Sequence, residues 1–345
     1  MTGRRRGQAA RPGEARPQGQ AEGRGPGVQL VVLLLAAAFI LGPGRMVRLP
    51  GGPTGPVPVA AGAGPGVQPD LEVWPQEVVQ GAWVRIRLTP WSPELRGELA
   101  EATFPFYRHQ GAALALVAVS FHVAPGKYPV QVQTVTGATL RREIAVRPRE
   151  FPVEQLRVPP ALEQRIRPED PAAQERLRQE QREVEQARMR SSPSPLWDGP
   201  FVWPVPPVRV TSEFGLVRVV NGRPAGRHSG LDLAAPSGTP VLAANAGRVA
   251  LARWHMATGG TILLDHGWGL FTSYLHLEAM DVAEGEPVRR GQPMGRVGAT
   301  GFATGPHLHW SAWLPGGYVD PRVLVDPQLW PPVPALAEGQ AGAGS

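Results

Sequence analysis

Four histidines and one aspartate stand at short spacings in the C-terminal half of this 345-residue chain. His228 and Asp232 are four residues apart. His307 and His309 are two apart, and His276 lies between the two pairs. Cysteine is absent, so a tightly bound transition metal must use imidazole and carboxylate ligands. Two histidines and one carboxylate are a recurrent ligand set for catalytic zinc, and this region offers that set with two imidazoles to spare.

The segment from His228 to Asp232 is predicted to be a loop that runs into a strand. Residues four apart share a face on a helix, but Gly230 stands inside the segment and Pro236 follows it closely. Both residues disfavour a continuous helix. A loop followed by a strand is therefore the better interpretation of this pair.

His307 and His309 are predicted to point to one face of a strand. Pro306 and the two-residue spacing favour a strand, in which alternate side chains share a face. The same rule predicts that Tyr274 and His276 share a face at the end of another strand. Each fragment alone often occurs by chance, so it is their combination in one region that indicates chemistry.

Six motifs follow one another within residues 201–331. They are Thr211-Ser-Glu-Phe214-Gly215-x-x-Arg218, His228-x-Gly-x-Asp232-x-Ala-Ala-Pro236-x-Gly238-x-Pro240-Val241, Asp265-His266-Gly267, Tyr274-x-His276-Leu277, Gly285-Glu-x-Val288-x-x-Gly291-Gln292-x-x-Gly295, and Thr300-Gly301 to Thr304-Gly305-Pro306-His307-Leu308-His309. This order resembles that of the lysostaphin/LytM-type zinc endopeptidases, with no motif missing from the series.

The resemblance implies a zinc metalloendopeptidase that hydrolyses peptide bonds in peptidoglycan. By position in the motifs, it implies that His228, Asp232 and His309 bind the zinc. It also implies that His276 and His307 are catalytic without binding the metal. The implied fold of this part of the chain is a small, open antiparallel β-sheet with a groove.

The two catalytic histidines suit acid–base chemistry near neutral pH, because imidazole has an unperturbed pKa of about 6.5. We expect His307 to act as the base and His276 to stabilise the tetrahedral intermediate or donate a proton, and these roles can be exchanged. Some members of the family have a tyrosine shortly before the first ligand, but residues 219–227 contain none. Arg223, Arg227 or His276 is the candidate oxyanion donor in its place.

The other histidines are expected to be structural or exposed to solvent. His266 matches a recurrent position of the family that we interpret as structural. His255, beside Trp254, matches no catalytic position. His109 and His122 have no potential ligands at a useful spacing.

The N-terminal residues predict export. Residues 1–27 carry six Arg and two Glu, a basic tail that supplies +4 of the net charge of +6. The remainder is close to neutral, which argues against a nucleic-acid partner. The apolar run 28–41 is short for a spanning helix and has the size of a signal-peptide core, so it is a signal or membrane-anchor segment. We expect a cell-envelope protein, periplasmic or extracellular, attached to the membrane if that segment is not cleaved.

The sequence predicts a mostly β protein with several parts, as Gly and Pro together supply nearly a quarter of the residues. Short alternating segments, among them 84–88, 119–123, 130–133 and 144–146, predict a small β-sandwich of immunoglobulin-like type. Asp170 followed by Pro171 predicts the start of a helix in the connector. The expected parts are a Gly/Pro-rich linker (42–69), the immunoglobulin-like domain (70–151), a helical connector (152–195), the zinc metallopeptidase domain (196–332) and a flexible tail (333–345).

Two alternatives stay open from the sequence. One is a catalytically inactive wall-binding or amidase-activating module of the same fold, although such proteins typically lose ligands and this chain retains all five positions. The other is an envelope scaffold whose β domain carries the function and whose zinc site only stabilises the fold. The sequence does not indicate which peptide bond is cut or what the oligomeric state is.

Overall fold

The computed structural model describes residues 68–160, 163–164, 167–197, 199–206 and 209–326. The predicted basic tail, the signal or anchor segment, the linker up to residue 67 and the C-terminal tail lie outside these residues. Within the described ranges, no helix combines the length and the apolar character needed to cross a membrane.

The first part of the described chain consists of two sheets. Its strands are β1 (Asp70–Trp74), β2 (Glu77–Val79), β3 (Ala82–Thr89), β4 (Arg96–Leu99), β5 (Ala102–Phe104), β6 (Tyr107–His109), β7 (Ala112–Val119), β8 (Gly126–Gln133) and β9 (Thr139–Arg147). One sheet has the order β1-β3-β7-β6 and the other β2-β9-β8-β4-β5. Side chains of both sheets form one buried cluster. The assignment to an immunoglobulin-like class stays a prediction.

Three of the predicted strand segments lie inside observed strands, but the prediction of a strand at 119–123 is wrong. β7 ends at Val119, and the chain turns at once, with the Val123 amide donating to the Ser120 carbonyl at 3.0 Å. The misleading apolar residue is Phe121, which is buried because it packs against the C-terminal part of the chain. Its burial therefore reflects a tertiary contact rather than a strand face.

Strand β7 joins two hydrophobic cores. All eight of its residues are buried. Ala115 and Val117 face the core between the two sheets, whereas Leu114 and Leu116 belong to the core of the C-terminal region. An apolar run without alternation is typical of a strand buried on both faces.

The C-terminal region has one large antiparallel sheet. The region contains the strands β11 (Val210–Ser212), β12 (Val217–Val220), β13 (Arg223–Arg227), β14 (Leu231–Leu233), β15 (Pro240–Leu242), β16 (Gly247–His255), β17 (Gly259–Gly267), β18 (Leu270–Met280), β19 (Pro287–Val288), β20 (Pro293–Val297), β21 (Leu308–Leu314) and β22 (Gly317–Val319), and all but β12 and β13 belong to the large sheet. The order is β11-β14-β21-β18-β17-β16-β19, with β15, β20 and β22 attached. The chain is thus mostly β, as predicted.

The two regions are connected by a short strand and a helix. Strand β10 (Val153–Leu156) pairs in parallel with β12, which forms a small sheet with β13. Helix α1 (Pro171–Arg188) begins as predicted, with the Asp170 carboxylate accepting a hydrogen bond from the Ala172 amide. A second, short helix, α2 (Arg322–Val325), ends the described chain.

The large sheet has two distinct faces at β14, β21 and β18. Leu231, Trp310 and Tyr274 are aligned across these strands and belong to the main hydrophobic core. Asp232 and His309 are also aligned, but they alternate with those residues and so point to the opposite face. The apolar face anchors the sheet, which leaves the other face for chemistry.

Candidate active site

Asp232 and His309 are direct neighbours on adjacent strands. They are paired in the antiparallel register of β14 and β21. His228 lies in the short loop before β14, and its main chain is held by hydrogen bonds to Gly215 and Leu216. The prediction that this segment is a loop leading into a strand is confirmed.

The donor atoms of the three side chains meet at short distances. His228 Nε2 lies 2.9 Å from Asp232 Oδ2 and 3.0 Å from His309 Nδ1. His309 Nδ1 lies 3.0 Å from Asp232 Oδ1. The Nδ1 atom of His228 donates to the Glu213 carbonyl oxygen at 2.8 Å, which leaves the Nε2 lone pair facing the other two residues.

This donor set fits a zinc ion. In the part of the chain that the structure describes, His228, Asp232 and His309 are the one group of at least three His, Cys, Asp or Glu residues able to hold a metal. Two nitrogens and one carboxylate oxygen match a catalytic zinc site, which keeps its fourth position open. Ligand atoms about 2.0–2.2 Å from one tetrahedral ion stand roughly 3.4 Å apart, so the three side chains, now 2.9–3.0 Å apart, would need only a small outward shift to hold it.

Asp232 is held in its charged form. Burial by itself would raise the pKa of this carboxyl, but the charges and hydrogen bonds of His228 and His309 outweigh burial and hold the pKa well below its usual value of 3.8. An ionised carboxylate is the form that binds a metal cation.

Arg218 also contacts Asp232, a role that the sequence reasoning did not assign. Its side chain is 1% exposed, and Nη2 lies 3.4 Å from Asp232 Oδ2. The guanidinium also lies 3.4 Å from Ser212 Oγ and from Glu154 Oε2 of β10. Its place in the Phe214-Gly215-x-x-Arg218 motif is the signal that could have found it. The contact fixes the orientation of the carboxylate.

His276 and His307 lie beside the three-residue group. Their ring centroids are 4.8 Å apart, and that of His276 is 6.2 Å from that of His309. The Nδ1 atom of His276 bonds the Thr300 carbonyl at 2.8 Å, and that of His307 bonds the Gly305 carbonyl at 2.7 Å. Since a carbonyl only accepts, both Nδ1 atoms carry the proton. Each buried Nε2 has no hydrogen-bond partner among the described residues, and each is free to accept a proton.

The interpretation that Tyr274 and His276 share a face is wrong. Tyr274 points into the core, where its hydroxyl accepts from the Ala244 amide at 2.9 Å. His276 has a left-handed backbone, with φ 65°, and the pairing of β18 with β17 shifts by one residue between Tyr274 and Leu277. This bulge turns the His276 ring onto the face that carries His309.

Both free imidazoles are neutral at pH 7. Burial lowers the pKa of His276 to about 3, helped by the neighbouring His307 and His309. Burial also lowers the pKa of His307, despite the opposing effect of Asp232. A neutral imidazole whose Nδ1 is already a donor presents Nε2 as a base.

The three candidate oxyanion donors differ in their surroundings. The Arg227 guanidinium lies 4.7 Å from the centroid of the Phe151 ring. Arg223 has a side chain 74% exposed and lies 4.0 Å from Glu163. His276 is the candidate that the structure brings next to the proposed metal ligands.

The other histidines lie in several settings. His266 is fully buried and bonds the Ala246 carbonyl and the Thr272 hydroxyl, both at 2.8 Å. His255 lies 3.3 Å from Glu183 of helix α1. His109 packs edge-on against Trp268, and His122 is exposed. None of these four belongs to the group around Asp232.

We expect His266 to make the stability of the protein depend on pH. Burial lowers its pKa from 6.5 to about 4, so between these values the unfolded chain binds a proton that the folded chain does not. The stabilisation is complete above pH 6.5 and is lost as the pH falls toward 4. At pH 5 the loss is about 2 kcal/mol. Urea unfolding at pH 7 and pH 5 should therefore show a smaller difference for His266→Asn than for the wild type, and equal differences would contradict this prediction.

Residues 226–321 match the sequence profile of Peptidase family M23. The matched range contains all five side chains of the site, and the chain therefore carries a domain of this family.

Three proteins illustrate the similarity. The peptidoglycan DD-endopeptidase ShyC of Vibrio cholerae is 38% identical over 122 residues, 35% of this chain and 28% of that protein. A crystal structure from Pseudomonas aeruginosa, named as a candidate peptidase M23, has 30% identity and a TM-score of 0.53, covering 72% of this chain and 94% of that chain. The catalytic domain of lysostaphin from Staphylococcus simulans has 30% identity and a TM-score of 0.32, and the match covers 34% of this chain and 92% of that domain.

The chain spans 28% or less of the length of the curated relatives ShyC and the meningococcal DD-carboxypeptidase/endopeptidase Mpg. The similarity to them thus concerns the M23 domain. The family match and the named relatives together support a metalloendopeptidase.

Proposed function

We propose that this protein is an exported, zinc-dependent endopeptidase that hydrolyses peptide bonds in peptidoglycan. The observation that carries the proposal is the arrangement of five side chains. A compact His-Asp-His group suited to zinc lies beside two neutral imidazoles whose Nε2 atoms have no partner among the described residues. A site that only bound zinc for stability would have no need of two further bases.

In this proposal His228, Asp232 and His309 hold the zinc ion. When bound there, zinc supplies Lewis acidity to the scissile carbonyl and to the attacking water. His307 Nε2 accepts the proton of that water, because its Nδ1–H stays bonded to the Gly305 carbonyl. His276 stabilises the tetrahedral intermediate or protonates the leaving amine once its bare Nε2 has received this proton from His307, whose ring centroid is 4.8 Å away. The two histidines have matching hydrogen bonds, and their roles can therefore be exchanged.

The substrate and the location rest on the relatives. ShyC is named a peptidoglycan DD-endopeptidase, which favours stem-peptide cross-links over interpeptide bridges. Peptidoglycan as substrate agrees with a cell-envelope location, periplasmic or extracellular. Residues 28–41 would direct export, as a cleaved signal or as a membrane anchor.

Removal of the metal is expected to stop the reaction without unfolding the protein. Purified protein should release soluble muropeptides from peptidoglycan, a metal chelator should abolish the release, and added Zn²⁺ should restore it. Mass spectrometry of the products identifies the bond that is cut. No release with metal bound would favour the inactive wall-binding or amidase-activating module. Loss of the circular dichroism spectrum on chelation would favour the scaffold alternative.

A further inference from the structure

Helix α1 contains one acidic residue that is unlike its neighbours. Glu180 is 8% exposed, although it belongs to a highly charged stretch of the connector. Its carboxylate accepts hydrogen bonds from two successive main-chain amides, those of Met256 at 2.5 Å and Ala257 at 3.3 Å. Arg176, one turn earlier in the helix, lies 3.4 Å away. A buried carboxylate with two amide donors has a definite geometry.

The two amides belong to the turn between β16 and β17, and this turn holds His276. The Thr258 carbonyl accepts from the His276 amide at 2.9 Å, and the Ala257 carbonyl accepts from the Phe302 amide at 2.8 Å. The Gly260 amide donates to Thr300 Oγ1 at 3.0 Å. The Thr300 carbonyl in turn holds the His276 ring. The turn thus contacts both segments that fix this imidazole.

The packing between these segments leaves no room for adjustment. A β-carbon at Gly301 would overlap the Gly259 amide and the Ala257 carbonyl. A shift of the turn toward Gly301 would therefore displace Thr300 and Gly301, and a shift away would break the hydrogen bonds of Ala257, Thr258 and Gly260. In addition, the left-handed backbone of His276 is unfavourable for a residue with a side chain, and it persists only while its surroundings impose it.

We propose that Glu180 is a positioning residue for His276, acting through the turn at 256–260. The connector helix is then part of the catalytic unit, although it lies outside the range matched by the family profile. The catalytic consequence rests on the proposed function, whereas the mechanical link between Glu180 and His276 does not.

The test compares Glu180→Ala, Glu180→Gln and the control Glu185→Ala, which removes an exposed carboxylate from the same helix. For Glu180→Ala, kcat should fall about 10-fold or more, as for other residues that orient a catalytic group, with KM and bound zinc unchanged. Glu180→Gln retains one acceptor and should lie between Glu180→Ala and the wild type. Glu185→Ala should match the wild type.

Hydrogen exchange gives a readout that is independent of activity. In Glu180→Ala, the amides of Met256, Ala257 and His276 should exchange at least about 10-fold faster than in the wild type, while the strands of the N-terminal sheets stay unchanged. Unchanged exchange at His276 overturns the proposal, as does a kcat equal to that of the wild type in an active enzyme. If the wild type does not cleave peptidoglycan, the proposed function fails, and hydrogen exchange alone decides whether Glu180 holds His276.

Discussion

Replacing His309 with alanine is expected to reduce bound zinc from about one ion per chain to near zero and to abolish peptidoglycan cleavage. Removal of an outer partner of a metal ligand already costs 10–100-fold in affinity, and removal of a ligand should cost more than about 100-fold. Elemental analysis of the purified variant measures the effect directly. Full occupancy in His309→Ala would refute the ligand assignment.

Replacing Asp232 should also abolish zinc binding and peptidoglycan cleavage, but the choice of the new residue matters. Its carboxylate is the fully buried partner of the Arg218 guanidinium, and Asp232→Ala would leave this buried charge with only the partly exposed Glu154 as its ionic partner, which would destabilise the domain. Asp232→Asn keeps the size of the side chain and one oxygen, and we expect it to fold and still lose zinc. His122→Ala, which removes an exposed histidine, is the matched control and should keep both metal and activity.

Replacing His307 with alanine is also expected to abolish cleavage, but this variant should retain its zinc. The Nδ1 atom of His307 bonds a main-chain carbonyl and does not belong to the ligand group, so the metal should stay. General base catalysis contributes about 10²–10⁴-fold, and we expect kcat to fall within that range.

His276→Ala serves as the companion to this variant, because both residues present a free Nε2. Steady-state kinetics together with zinc analysis compares the two histidines. Near-normal turnover in His307→Ala would remove His307 from the role of base. If only His276→Ala then lost activity, the two roles would be exchanged.

Much of the candidate site could be predicted because it depends on patterns among residues that are close in sequence. The two-residue spacing brings His307 and His309 to one site, although His307 lies just before β21, in an isolated bridge with Gly298. Gly230 with Pro236 indicates a loop before β14 rather than a helix. The start of helix α1 could also be predicted, since an aspartate cap followed by proline acts within one turn. These patterns depend on neighbours in the sequence, which is why the sequence alone reveals them.

Contacts between residues far apart in the sequence could not be predicted. The strand predicted at 119–123 was wrong because Phe121 is buried against another region of the chain. The sequence shows Arg218 in a family motif and Glu180 in a charged helix, but it does not indicate the partner of either. Only the fold buries Arg218 against Asp232 and Glu180 against the turn at 256–260. No spacing rule predicts either contact, since the partners of Arg218 and Glu180 come from other segments.

The sequence by itself determined the chemistry available to this protein: without cysteine, a metal site had to use histidine and carboxylate, and His228, Asp232, His276, His307 and His309 supply that set. The tertiary structure decided how the five side chains meet. Regular alternation would have turned His276 into the core beside Tyr274. A one-residue bulge, held by Thr258 and Thr300, turns it toward His307 instead, because strand pairing and the packing of the turn outweigh the local cost of a left-handed backbone.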